Sequence, residues 1–159
     1  MAWIEKTIDV DVPLLIAYKQ WTQFEEFSEF MADIKEVRQL DHKRLHWHAE
    51  VMGKQVDWFA EITEQIPGKR ITWRNLSGAK SAGGVSFQSL GVARTRVTWR
   101  VEYEPTGPVE PSDSVLGFIA LRIDGDLRRF KQFIEERGHA QVARRGVTHG
   151  AHVPHPSVS

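Results

Sequence analysis

Cysteine is absent from this chain of 159 residues. That excludes disulfides, thiolate metal sites and a cysteine nucleophile, and it suits a reducing compartment. An excess of one charge is missing as well: 21 Lys and Arg balance 21 Asp and Glu. A nucleic-acid binder normally carries a basic face, and electrostatic attachment to an anionic membrane needs a basic cluster. Neither partner is expected. No apolar run approaches the ~20 residues of a membrane span, so no transmembrane segment is expected. Residues 1–12 alternate charged and apolar side chains and lack a signal-peptide core. Phosphate loops, dinucleotide fingerprints, nucleophile elbows and metal-ligand motifs are all missing, so neither cofactor nor metal is expected. The remaining expectation is a cytoplasmic protein with one core-bearing domain over residues 1–138, its oligomeric state left open.

Tryptophan, in contrast, is abundant, with six in the chain. Most lie in segments that read as strands, where they either fill a core of large side chains or line a cavity.

Trp3 to Asp11 alternates Ile4, Ile8 and Val10 with Glu5, Thr7, Asp9 and Asp11, the pattern of a half-buried strand. Pro13 then suits the first turn of a helix carrying Leu14, Leu15, Ala17, Tyr18 and Trp21. Thr22 and Glu25 have the spacing of a capping box for a second short helix with Phe24, Phe27, Phe30 and Met31. These two helices are expected to plug one end of a sheet.

From Ile34 to Glu104 the chain reads as consecutive antiparallel strands. Their inward rows are Leu45, Trp47, Ala49 and Val51; Val56, Trp58, Ala60 and Ile62; Ile71 and Trp73; Val85 and Phe87; and Thr95, Val97, Trp99, Val101 and Tyr103. Turns are expected at residues 41–43, at Gly53-Lys54, at Pro67-Gly68 and near Gly91. Residues 77–84 read as a Gly/Ser/Ala loop, and Gly83-Gly84 can also be read as an anion cradle. His46 and His48 share a strand face opposite Trp47, so they read as solvent-facing residues or as two metal ligands.

Ser112 to Gly138 reads as one long amphipathic helix. Val115, Leu116, Ile119, Ile123, Leu127, Phe130, Phe133 and Ile134 form its apolar stripe. Ser112 or Asp113 can cap its start, and Lys131, Arg137 and Gly138 suit its end. Gly117 and Gly125 break the stripe, each at a cost of roughly 1 kcal/mol relative to Ala. Close approach of another backbone, or room for a ligand, would account for them. Asp126 falls near the apolar face, with Arg122 and Arg129 in reach. It reads either as a polar contact in a ligand cavity or as an ion pair at the sheet rim. Residues 139–159 hold four of the seven His and no acids, and they read as a flexible tail. His149, His152 and His155 within it could pick up a metal ion.

The order β-α-α-β-β-β-β-β-β-α defines an α+β domain in which a curved antiparallel sheet wraps a long C-terminal helix. In this order the chain resembles the helix-grip proteins of the START-like (SRPBCC, Bet v 1-like) superfamily, among them polyketide cyclase/dehydrase and coenzyme Q-binding proteins. The resemblance is carried by Val12-Pro13, Trp21 to Met31, Trp47, Trp58 to Ile62, Pro67 to Trp73, Gly84 to Phe87, Thr95 to Tyr103 and Phe130 to Glu135. It implies a cavity for a hydrophobic small molecule such as a lipid, quinone or polyketide-like compound.

The residues expected to line that cavity are Trp47, Trp58, Trp73, Phe87, Trp99, Tyr103, Ile119, Ile123 and Asp126, since ligand pockets are concave and mostly apolar with few polar anchors. Two alternatives stand beside simple binding. One is a cyclase/aromatase or dehydratase, which needs an acid and a base from candidates such as Tyr103, Asp126 and Arg122. The other is a protein-interaction module whose core is filled by its own side chains. No catalytic pattern of the family transfers to named positions.

Overall fold

A computed structural model describes residues 2–51, 53–77, 81–103 and 121–137. Seven strands form one antiparallel sheet: β1 Ala2–Val10, β2 Ile34–Gln39, β3 Arg44–Val51, β4 Lys54–Ile66, β5 Arg70–Asn75, β6 Ser81–Gly91 and β7 Arg94–Tyr103. Their spatial order is β1-β7-β6-β5-β4-β3-β2. Each of β2 to β7 pairs with its sequence neighbour. β1 instead pairs with the last strand, in register from Ala2↔Tyr103 to Val10↔Thr95. The sheet curls into a half-barrel that grips the C-terminal helix. Register shifts in β2, β4 and β6 supply local bends of the kind bulges make.

The turns follow their chemistry. Gly53 and Gly68 adopt positive φ (83° and 73°), which glycine reaches without steric cost. Asp41 Oδ1 accepts the backbone N–H groups of Lys43 and Arg44 at 2.8 Å each, tying the β2–β3 turn.

α1 spans Leu14–Trp21, and a 3-10 helix spans Phe24–Glu29. The expected capping box does not form. Thr22 ends α1, and its hydroxyl donates to the Lys19 carbonyl at 2.6 Å. Glu25 reaches the β2 backbone instead, accepting the Gln39 N–H at 3.1 Å. Leu15, read among the apolar positions of α1, is exposed, while Ala17, Tyr18 and Trp21 are buried.

The loop read at residues 77–84 is another correction, because β6 already starts at Ser81. Gly83 and Gly84 sit within the sheet, each between a β5 and a β7 partner. A Cβ on Gly83 would meet the Arg100 carbonyl at 2.8 Å, and one on Gly84 would meet Thr72 Cγ2 at 2.7 Å. The glycines allow close strand approach. Val56 shares the inward row of β4 but remains exposed.

The C-terminal helix, α2, is described over residues 121–137. Ile123, Leu127, Phe130 and Ile134 are buried along it, as the 3.6-residue period requires. Polar contacts tie α2 to the first third of the chain. Lys131 Nζ donates to the Asp9 carbonyl at 2.9 Å, and Glu135 Oε2 accepts the Asp11 N–H at 2.8 Å. Arg137 Nη1 reaches Gln20 Oε1 and Glu26 Oε1 at 2.7 Å each. The expected helix start, Val115, Leu116, Gly117, Ile119, Gly138 and the tail with its three His lie outside the described residues.

Candidate functional site

Two layers of aromatic side chains lie between sheet and helix. The inner layer is solid. Trp21 is fully buried, and its ring centroid lies 5.3–5.5 Å from those of Phe27, Phe30, Trp99 and Phe130. Most of these contacts are edge-to-face, the geometry the ring quadrupole favours. This layer fills the end of the half-barrel covered by α1 and the 3-10 helix. Phe87 belongs to it. Its ring packs edge-on against Tyr18 at 5.7 Å, and it is not on a cavity wall, because α1 covers the part of β6 from which it projects.

Beyond the plug the described residues leave space between sheet and helix. A cavity of about 270 Å³ is walled by Trp47, Trp58, Trp73, Trp99, Val101 and Ile123, among others. Trp47 and Trp58 are cross-strand partners and stack at 5.7 Å with ring planes 9° apart. The indole nitrogens of Trp47 and Trp99 are enclosed and take no hydrogen-bond partner among the described residues. These rings therefore offer the cavity an apolar surface. Of the nine residues expected to line the site, six are on this wall: Trp47, Trp58, Trp73, Trp99, Ile123 and Asp126. The Tyr103 side chain and Ile119 lie outside the described residues.

Asp126 is a polar group on this wall. Its side chain is only 13% exposed. Oδ1 accepts the Ala32 N–H at 3.1 Å and a guanidinium N–H of Arg129. Burial raises the carboxyl above its ordinary value, and the negative charge of Asp33 adds to this, outweighing the lowering by Ala32 and Arg129. Of the two arginines considered from sequence, Arg129 is the partner. Arg122 pairs with Asp33 at 3.1 Å. Gly125 is explained by the same contact. A Cβ there would meet the Arg129 guanidinium at 3.3 Å, so the glycine leaves room for a side chain folded back along the helix. Asp33, Asn75 and Ser81, which also face the cavity, carried no signal in the sequence; they stand at strand edges where periodicity is weakest.

A second depression, of about 360 Å³, lies on the outer sheet face over Gly84, between Thr72 and Arg74 on one side and Thr98 and Arg100 on the other. Its arginines are already paired, Arg70 with Glu64, Arg74 with Glu61 and Arg100 with Glu102. The inner cavity, enclosed between sheet and helix and walled by four tryptophans, is the better candidate. His46 and His48 lie on the outer face, where both rings reach one oxygen of Asp57, at 3.3 and 2.9 Å. Among the described residues no group of three or more His, Asp or Glu is arranged to hold a metal.

Residues 10–132 match the family described as polyketide cyclase/dehydrase and lipid transport. The chain belongs to this family. A relative in Streptomyces lincolnensis, an uncharacterised 17.2 kDa protein, is 41% identical over 147 residues, which is 92% of this chain and 98% of the relative. Among solved structures, a START superfamily protein from Mycobacterium smegmatis superposes with a TM-score of 0.74 at 17% identity, over 84% of this chain and 97% of that one. The Zhui aromatase/cyclase from Streptomyces sp. R1128 superposes with a TM-score of 0.69 at 14% identity, over 89% of this chain and 95% of that one. At such identities the solved structures establish the START-like fold alone. Membership of the polyketide cyclase/dehydrase and lipid transport family directs attention to the inner cavity. Among the described residues no helix is long and apolar enough to cross a membrane.

Proposed function

We propose that this chain binds a hydrophobic small molecule in the cavity between the sheet and α2. The observation that carries the reading is the cavity of about 270 Å³ with four tryptophans on its wall. That volume lies just under the ~300–1,000 Å³ typical of small-molecule sites, so a compact ring system suits it better than a two-chain lipid. Native mass spectrometry of freshly purified protein, with organic extraction of whatever is released, tests this. The expected result is a lipophilic adduct at one copy per chain. Trp58 is only half-buried, so Trp58→Ala can be made without removing a core residue. Aromatic contacts are worth about 0.5–1.5 kcal/mol beyond their area, and the substitution is expected to weaken binding of a captured compound by roughly tenfold. Unchanged affinity would remove Trp58 from the site.

A second reading, ring closure and water loss on a poly-β-ketone chain held in the same cavity, is supported by Asp126. A carboxyl raised by burial on an apolar wall is suited to proton transfer. Product formation from such a chain, abolished in Asp126→Asn, is the expected outcome under this reading. Turnover that survives the substitution would exclude Asp126 as its acid or base.

A further inference from the structure

The polar groups around the cavity differ in how they are engaged. Asp33 is held by Arg122. Ser81 donates its hydroxyl to the Glu102 carbonyl at 3.0 Å, and Asn75 has partners of its own. The Asp126 carboxyl is asymmetric. Both of its donors, the Ala32 N–H and the Arg129 guanidinium, converge on Oδ1. Oδ2 takes no hydrogen bond among the described residues, and it is not one of the enclosed unpartnered atoms. Two donors on one oxygen orient the carboxyl, and the other oxygen is left without a donor on a residue of the cavity wall that also carries four tryptophans. Arg129 also donates from Nε to the Phe30 carbonyl at 3.0 Å, so the guanidinium that orients Asp126 is itself anchored.

Resting on the cavity reading above, we infer that Asp126 Oδ2 is the specificity-determining acceptor of the site, selecting compact aromatic compounds that present a hydroxyl donor over equally apolar compounds that do not. A neutral donor suits the site better than an ammonium group, because Arg129 and Arg122 already balance Asp126 and Asp33. A hydrogen bond to a charged acceptor contributes more than one between neutral groups, and a ligand that displaces solvent from this acceptor without donating to it leaves it unpaired at a cost.

The test uses two probes of the same ring system, 2-naphthol and its methyl ether 2-methoxynaphthalene, which lacks the donor, titrated calorimetrically against the full chain. The expected preference for 2-naphthol is about tenfold or more. It is expected to shrink to within about threefold in Asp126→Ala, with 2-methoxynaphthalene still bound. Asp126→Asn, nearly the same shape, serves as a second variant should Asp126→Ala fail to fold. With its oxygen held by Ala32 and Arg129, its amide N–H group replaces the free acceptor, and the preference for the naphthol is expected to shrink likewise. Equal binding of the two probes by the unaltered chain, or a preference that survives removal of the carboxyl, overturns the inference and leaves the cavity reading standing. No binding of either probe overturns both.

Discussion

Thr95 is fully buried, and its hydroxyl donates to the Val12 carbonyl at 2.8 Å. Thr95→Val keeps the shape and removes the donor, leaving that carbonyl without its side-chain partner. The expected loss is about 1–3 kcal/mol, read by urea denaturation; a loss under ~0.5 kcal/mol would show that the bond is dispensable. Asp126 behaves oppositely to most carboxylates. Its native-state value is raised, chiefly by burial, so the folded chain holds this proton more tightly than the unfolded one. Its contribution to stability is therefore present below the ordinary aspartate range and is lost as pH rises through the raised value. Asp126→Asn should remove that component from the pH–stability curve. The position of Asp126 was legible in the sequence, because helical spacing places it near the apolar stripe. Its partner was not, because Arg122 and Arg129 are both within reach on a helix and only the chain around Phe30 to Asp33 separates their roles.

At the scale of elements, α2 is fastened at its C-terminal end by Arg137, which reaches Gln20 and Glu26. The Glu26 carboxyl lies below its ordinary value of 4.5, chiefly through the hydrogen bond from Gln20 and then through Arg137. The sign is the usual acidic one. The contribution is present above pH 4.5 and is lost as pH falls through the lowered value. Glu26→Gln is expected to flatten the acid limb of the stability curve, and an unchanged limb would show that the link is solvent-screened. β6 makes a second prediction. Gly84→Ala places a methyl 2.7 Å from Thr72 Cγ2 and 2.9 Å from the Ile71 carbonyl, so overpacking should cost roughly 1–3 kcal/mol in thermal or urea unfolding. Gly83 and Gly84 were misread as loop because glycine is the usual mark of a turn. Here the crowding comes from neighbouring strands, which local sequence does not reveal.

At the scale of the whole molecule, the alternation in β3 to β7 and the long apolar stripe near the C-terminus were enough to read a sheet gripping a helix. The pairing of β1 with β7 joins the first and last strands, far apart in sequence, and has no local signature. The extent of the cavity was only partly legible. Alternation correctly set Trp47, Trp58, Trp73 and Trp99 on the inner face, and Phe87 shares that face. What divides them is the seating of α1 against Phe87 through Tyr18, a tertiary contact. The central claim is that the remaining space is a binding cavity, and occluding it tests this most directly. Val101 is half-buried on the cavity wall, so Val101→Trp should fill the space with little disturbance of the plug. Calorimetric titration with 2-naphthol is predicted to show saturable one-to-one binding to the original chain and none to a Val101→Trp variant of similar Tm. Equal binding to both chains would contradict the account.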